Sequence, residues 1–172
     1  ANEALRRDGS KPDTDIPTTD LLAPDERWWV KEGLWAFETT NPNCWDTLKS
    51  AILTESKADL LFVQETKVFS NLGMKKAQRE ARKLGWNPTL SAAHQASVHM
   101  GSGGGAILSR AGTGINSAPT HLIPKAMEHR LHLAWVDAVQ RGGMNGLNVY
   151  LKDSEGLSDT NIEVLGVAAT VL

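Results

Sequence analysis

Residues Ala58–Thr66 read Ala-Asp-Leu-Leu-Phe-Val-Gln-Glu-Thr and contain the strongest structural signal of the chain. Four large apolar residues follow one another without alternation, which is typical of a β-strand buried on both faces. The run ends at Gln64 and Glu65, where the strand emerges. Ligands of α/β sheets bind at the carboxyl ends of strands, so a carboxylate here is well placed to bind a metal or a substrate. The alternative is that the two polar residues only cap the strand.

The composition is that of an ordinary globular domain. The 172 residues suffice for one domain with a sizeable core, or for part of a larger one, and 41% are hydrophobic. The net charge of -2 argues against a generally basic nucleic-acid binder but allows a focused basic groove. A single cysteine, Cys44, excludes an internal disulfide framework and suits a reducing compartment.

Targeting signals are missing from the sequence that we read. No apolar run reaches the roughly 18 residues of a membrane span, and no signal-peptide pattern opens the chain. We therefore expect an intracellular protein, with the nucleus as a candidate compartment and no membrane partner.

The first 32 residues differ from the rest. They contain eight acidic and five basic residues with little apolar periodicity, which predicts a flexible tail or linker over 1–32. Trp28 or Trp29 is expected to attach this tail to the domain, and the tail otherwise to make few contacts. Residues 33–172 form the predicted domain. Because its last segment, 166–172, is apolar without a polar stop, we expect the chain to be a fragment of a longer protein.

Strands and helices alternate in the first half of this domain, and strands dominate afterwards, which predicts a mixed sheet covered by helices. Helices are predicted over 43–56, over 71–84, and from Ser158 or Thr160 onwards, with Asn43 as an N-cap and Gly85 as a stop. The last helix carries an apolar side that we expect to be exposed, formed by Ile162, Leu165, Ala169 and Leu172. Strands are predicted over 34–39, 59–65, 86–92, 106–109, 130–139 and 147–152, and loops over 94–105 and 111–128.

Three other motifs have two interpretations each. The basic residues of the second helix are able to contact nucleic-acid phosphates, although a solvated helix face is the alternative; they are Lys75, Lys76, Arg79, Arg82 and Lys83. The Gly-rich run 101–105 lacks the Lys-Ser/Thr of a phosphate-binding loop, so a flexible loop is predicted. The five histidines have no zinc-like spacing with Cys44, and packing is the favoured interpretation.

The order of motifs is recognisable. It runs Asn41-x-x-x-Trp45, Gln64-Glu65-Thr66-Lys67 after the buried strand, Leu84-Gly85-Trp86, 104–108, His129-Arg130-Leu131, and Asn148-Val149-Tyr150 followed by Asn161. Over about 34–172 this resembles the endonuclease/exonuclease/phosphatase superfamily, especially the nuclease domains of non-LTR retrotransposons and their apurinic/apyrimidinic endonuclease relatives. The resemblance implies an α/β (α+β) fold of four layers, with a mixed sheet covered by helices, of which this chain is the truncated N-terminal half.

The resemblance also implies roles for four residues. Glu65 and Asn41 would bind Mg²⁺, or Mn²⁺ in its place, and Asn41 would also hold the scissile phosphate. Tyr150 would donate a hydrogen bond to the phosphate, and Arg130 would lie near it. The alternatives are a turn residue for Asn41, with Asn43 as its competitor, a half-exposed strand residue for Tyr150, and an edge-strand residue for Arg130.

The function implied for the parent protein is Mg²⁺-dependent phosphodiester hydrolysis, with DNA nicked for a retroelement. The Asp-x-Asn and terminal His of the family have no counterpart here, so we expect the chain by itself not to cleave DNA. One alternative is a phosphatase or phosphodiesterase acting on a small phosphorylated molecule. The other is a degenerate, non-catalytic interaction module. The oligomeric state is not indicated.

Overall fold

Two β-sheets face each other, and helices cover both outer sides. The computed structural model describes residues 27–98 and 100–171. The helices are α1 (Trp28–Lys31), α2 (Trp45–Thr47), α3 (Leu53–Glu55), α4 (Asn71–Lys83) and α5 (Asp159–Val171). The strands are β1 (Phe37–Thr40), β2 (Leu60–Gln64), β3 (Trp86–Leu90), β4 (His94–Gln95), β5 (Gly101–Ser102), β6 (Gly105–Arg110), β7 (Gly114–Ser117), β8 (Leu131–Asp137) and β9 (Met144–Val149).

The first sheet has four strands in the order β1-β2-β6-β3. The strands β1 and β2 are parallel, and β6 is antiparallel to both β2 and β3. The second sheet is antiparallel, in the order β7-β8-β9, and β4 and β5 form a short separate ribbon. Because β1 and β2 run in the same direction, the residues that follow them meet at one edge of the first sheet.

Three apolar clusters hold the layers together. The largest lies between the first sheet and the helices α2, α3 and α4, and a second joins the other sheet to α5. The third lies between the two sheets and includes Leu60, Val136 and Phe62. The order of layers is therefore helix, sheet, sheet, helix. The predicted fold class, a four-layer α/β sandwich, is confirmed.

Strand β2 is central to this arrangement. Leu61 and Val63 belong to the cluster under the helices, whereas Leu60 and Phe62 face the second sheet. Successive side chains of a strand point to opposite faces, so an unbroken apolar run matches a strand with a core on each side. The prediction of a doubly buried strand is confirmed.

Some predicted boundaries were wrong. The first strand begins at Phe37 rather than Leu34, and β9 covers Met144–Val149 rather than the predicted 147–152. The segment predicted as a loop over 111–128 contains β7, which pairs with β8. A single partly buried apolar residue, Ile115, gives β7 too little periodicity to detect in the sequence.

The first predicted helix is present but irregular. Between α2 and α3, Leu48–Ile52 forms a π-helical segment. Asn43 is not the N-cap, because Cys44 occupies that position and the Asn43 backbone has a φ of 63°. The Asn43 amide N–H instead donates to Asn41 Oδ1 at 3.1 Å, which closes a turn after β1.

The end of the predicted tail packs onto the domain through Asp59. The Trp29 indole Nε1 donates to Asp59 Oδ2 at 3.0 Å, and the Arg27 guanidinium forms an ion pair with the same carboxylate. Trp28 is exposed. The expected attachment is therefore made by Trp29, and the flexibility predicted for residues 1–26 lies outside the described residues.

The last helix, α5, buries Val164 and Ala168 against the second sheet. Ile162 and Leu165 are exposed, as expected for that side of the helix, and Leu172 lies outside the described residues. No helix in the described part of the chain combines the length and apolar character required to cross a membrane.

Candidate metal and phosphate site

The carboxyl ends of β1 and β2 bring Asn41 and Glu65 together. Asn41 follows β1 directly, and Glu65 follows β2. The Asn41 Nδ2 donates to Glu65 Oε1 at 3.3 Å. Asn41 is exposed and Glu65 is partly exposed, so both side chains are accessible from solvent. The structure thus places the two predicted metal ligands side by side at one edge of the sheet.

The backbone at Glu65 is left-handed, with a φ of 52°, and Lys67 repeats this conformation at 56°. Left-handed backbone is uncommon for residues other than glycine. The intervening Thr66 is buried, and its N–H donates to the Gly104 carbonyl at 3.1 Å. Hydrogen bonds to the neighbouring loop therefore hold the strand end in a conformation that turns the chain sharply at Glu65.

That neighbouring loop is the Gly-rich run. Gly103 and Gly104 are buried and have positive φ angles, and the Gly104 N–H donates to the His129 carbonyl at 2.7 Å. The Lys67 N–H donates to the Gly103 carbonyl at 3.0 Å. The prediction of a flexible loop was wrong. Glycine allows the close approach of three backbone segments here, and the loop is packed between them.

Lys67 places a positive charge beside the carboxylate. Its Nζ lies 3.7 Å from Glu65 Oε2 and also donates to Asn43 Oδ1. Both side chains remain partly exposed, so this ion pair contributes little to folding stability. Its effect is local, because the ammonium balances part of the carboxylate charge.

Tyr150 reaches the same edge from the second sheet. It follows β9, and its phenol lies near enough to Glu65 for the carboxylate to affect its pKa. Burial and the neighbouring Glu65 carboxylate together raise the pKa of Tyr150 to about 12. The phenol is therefore protonated and available as a donor at neutral pH. Leu147 and Val149 instead pack towards α5, as the strand alternation predicted.

Arg130 is placed differently from expectation. Its side chain is buried, with Nη1 donating to Asn161 Oδ1 at 3.0 Å and Nη2 lying 3.7 Å from Glu155 Oε2. The guanidinium is therefore used internally to fix the start of α5. It is still near the site, because the Arg130 carbonyl accepts from the Tyr150 N–H at 2.7 Å. Contact of Arg130 with a substrate stays a prediction, and this arrangement does not favour it.

Sequence reasoning missed one polar residue next to the site. Asn148 is buried between the sheets, where its Nδ2 donates to the Val63 carbonyl and its Oδ1 accepts from Gln64 Nε2 at 2.7 Å. Of the motif Asn148-Val149-Tyr150, the sequence analysis assigns a role only to the tyrosine. The alternation that turns Tyr150 towards Glu65 also turns Asn148 towards β2, and this could have been read from the sequence.

The described histidines differ in burial: His132 is buried and His129 half-buried, whereas His94 and His121 are exposed. His132 is buried and its Nε2 lies 2.8 Å from Thr89 Oγ1, and burial lowers its pKa to about 4. The rings of His94 and His129 lie 5.6 Å apart, and burial and the charge of Arg130 lower the pKa of His129. The favoured interpretation of packing thus agrees with the surroundings of His132 and His129.

A cavity of about 270 Å³ lies beside the site, between the start of α2, residues 66–70 and α4. Lys67 and Lys76 line it together with Asp46 and Glu80, so one basic residue of α4 reaches the cavity beside the site. All five predicted basic residues of α4 are exposed. This fits either a solvated face or a phosphate-binding face.

The donor set suits a hard divalent cation that keeps much of its water. The Glu65 carboxylate is available at the edge, whereas Asn41 Oδ1 already accepts from the Asn43 backbone N–H; Mg²⁺ is commonly bound by one or two carboxylates plus waters. Within the residues that the structure describes, no cluster of three or more His, Cys, Asp or Glu side chains has the geometry of a metal site. The residues present therefore fit a weakly held, mostly hydrated ion.

Comparisons with known proteins find likenesses among solved structures. No protein-family model matches the sequence, and no curated protein matches it. A similar solved structure is the AP endonuclease LMAP from Leishmania major, with a TM-score of 0.45 and 15% sequence identity. The match covers 83% of this chain and 51% of that one, so the chain spans about half the length of this structure.

Proposed function

We propose that this chain carries the metal-binding part of a phosphodiester hydrolase of the endonuclease/exonuclease/phosphatase type. The observation that carries the proposal is the convergence of Asn41, Glu65 and Tyr150 on one accessible edge. Asn41 Nδ2 lies 3.3 Å from Glu65 Oε1, and the Tyr150 phenol approaches the same carboxylate from the other sheet. A carboxylate, an amide and a protonated phenol are the groups that a metal-bound phosphate requires.

Each residue has a separate role in this proposal. Glu65 and Asn41 hold Mg²⁺, which when bound supplies positive charge against the charge that develops on the phosphoryl group. The Asn41 amide nitrogen also donates to a phosphate oxygen. Tyr150 donates its phenolic hydrogen to another phosphate oxygen, and its raised pKa, about 12, keeps that hydrogen in place across the neutral range. Together they orient the phosphate for attack by water from the opposite side.

DNA is the substrate that we propose, and the basic residues of α4 support it. Lys76 of that helix lines the same cavity as Lys67, whose ammonium lies beside Glu65. Exposed basic residues on the helix beside the site suit a polymer with a charge at every nucleotide. A small phosphorylated molecule would end at the site and would not reach the helix. We also propose that the parent protein nicks DNA for a retroelement.

The test is Mn²⁺ binding by the chain, measured by electron paramagnetic resonance. Glu65→Gln should weaken binding by about tenfold or more, since changes to groups that support metal ligands already cost roughly 10–100-fold. Glu163→Gln removes an exposed carboxylate of α5 and serves as the matched control. Equal Mn²⁺ affinity of Glu65→Gln and the unmodified chain would overturn the proposal.

The substrate class is tested by binding at increasing salt concentration. A short DNA duplex should stay bound to the unmodified chain at higher salt concentrations than to a Lys76→Gln variant. A phosphomonoester should bind both proteins equally. Nicking of supercoiled plasmid in Mg²⁺ that is lost in Glu65→Gln would show that the chain alone suffices for cleavage, contrary to our expectation from its sequence.

A further inference from the structure

Three hydrogen bonds tie the strands together just before they reach the site. Asn148 Nδ2 donates to the Val63 carbonyl, and Gln64 Nε2 donates to Asn148 Oδ1 at 2.7 Å. Gln64 Nε2 also donates to Thr39 Oγ1 at 3.1 Å. The chain of contacts runs from β9 through β2 to β1 and so joins both sheets.

The positions of these residues match those of the site. Thr39 stands two residues before Asn41, Gln64 stands one residue before Glu65, and Asn148 stands two residues before Tyr150. Each linked residue therefore lies at the end of its strand, one or two residues before a candidate site residue. Relative movement of the two sheets would separate Tyr150 from Glu65 unless something held the strand ends.

The surroundings of Asn148 are shaped for its side chain. Asn148 is only 4% exposed, and it lies over Gly105, which pairs with Gln64 in the first sheet. A Cβ on Gly105 would lie 2.9 Å from Asn148 Nδ2, so a side chain there would displace the amide. Both polar ends of the amide are paired, as buried polar groups require. This is a fitted polar contact between the sheets, as is the contact of His132 Nε2 with Thr89 Oγ1.

We propose that Asn148 is a positioning residue, which sets the distance between Tyr150 and Glu65 by binding the backbone and the side chain at the end of β2. Its contribution to phosphate chemistry rests on the function proposed above. The contact itself does not, because it exists between residues of the chain alone. An apolar side chain at 148 would fill the space without fixing the register of the two strand ends.

Tyr150 makes the proposal measurable, because it is the only tyrosine of the chain. Tyrosine labelled with an isotope in its ring gives one nuclear magnetic resonance signal. Glu65→Gln should shift this signal in the unmodified chain, since the phenol faces the carboxylate. In an Asn148→Ala background the same Glu65→Gln change should shift it by less than half as much. Asn145→Ala, an exposed asparagine of the same strand, should leave the full shift.

The outcomes that overturn the proposal are clear. A Glu65→Gln shift of equal size in the Asn148→Ala and unmodified backgrounds would do so, as would the absence of any shift in the unmodified chain. If Asn148→Ala does not fold, Asn148→Leu takes its place, because leucine fills the space but can bind neither the Val63 carbonyl nor Gln64. A full shift in Asn148→Leu then overturns the proposal, and a reduced shift supports it.

Added Mn²⁺ separates this inference from the proposed function. A metal at Glu65 should broaden the Tyr150 signal through its unpaired electrons. If no broadening occurs while Asn148→Ala still reduces the Glu65→Gln shift, the metal site is wrong and the positioning role stands. If the signal broadens and the Glu65→Gln shift is undiminished in Asn148→Ala, the metal site stands and the positioning role is wrong.

Discussion

Burial decides the behaviour of several single residues, and His132 is the clearest case. Its imidazole is enclosed between the sheets, and burial lowers its pKa from 6.5 to about 4. Between these two values the unfolded chain binds a proton that the folded chain does not. Stability should therefore fall as the pH decreases from about 6.5 to about 4, by at most about 1.4 kcal/mol per pH unit from this group.

The check is urea unfolding at neutral pH and at pH values within this window. A His132→Gln variant should lose less stability on acidification than the unmodified chain, because glutamine binds no proton. His121→Gln changes an exposed histidine and should retain the full pH dependence. His129, whose pKa is also lowered, accounts for part of the slope that remains. An unchanged slope in His132→Gln would contradict the assignment.

At the same scale, the sequence predicted site residues to different extents. Glu65, Asn41 and Tyr150 were placed correctly because strand ends and strand alternation follow from local pattern. The internal pairing of Arg130 was not predicted, because its partner Asn161 lies 31 residues further along the chain. A buried pairing of that kind depends on how α5 packs, which no local pattern specifies.

At the scale of elements, the loop of glycines supports the strand end that carries Glu65. Gly103 has a φ of +71°, and a Cβ there would lie 2.5 Å from the His129 carbonyl oxygen. Gly112 also has a positive φ, +96°, but has open space around its Cβ position. Alanine is strained by the backbone at both positions, and only at 103 does it also collide with the neighbouring turn that contains His129.

We therefore expect Gly103→Ala to destabilise the fold by about 1–3 kcal/mol more than Gly112→Ala, the usual cost of overpacking. Thermal unfolding of the two variants measures the difference. Similar losses for both would mean that the loop has room to move and does not fix the strand end.

The elements also show where local pattern stops being informative. The helix α4 was predicted almost to the residue, because Ser70 caps it and Gly85 follows it with a φ of 80°. The strand β7 was missed because its pairing with β8, rather than its own residues, makes it a strand. The spacing of apolar residues likewise does not indicate the π-helical segment at Leu48–Ile52.

For the whole molecule, the apolar cluster between the sheets determines whether the layers stay together. Leu60 is fully buried in that cluster, whereas Leu157 is 80% exposed. Leu60→Ala should cost about 2–5 kcal/mol, because it removes contacts and leaves a cavity. Leu157→Ala should change stability by no more than about 0.5 kcal/mol. Denaturant unfolding compares the two, and a small effect of Leu60→Ala would mean that the sheets adjust to fill the space.

The left-handed backbone at Glu65 has a consequence for how this protein would respond to engineering. Glycine adopts that conformation freely, whereas an L-residue there costs about 1 kcal/mol. Selection of variants for heat tolerance alone would thus favour glycine at this position. It would gain stability and discard the one carboxylate at the strand end. Thermal stability and the proposed metal binding place opposite demands on this residue. Glu65 should therefore be kept unchanged in any such selection.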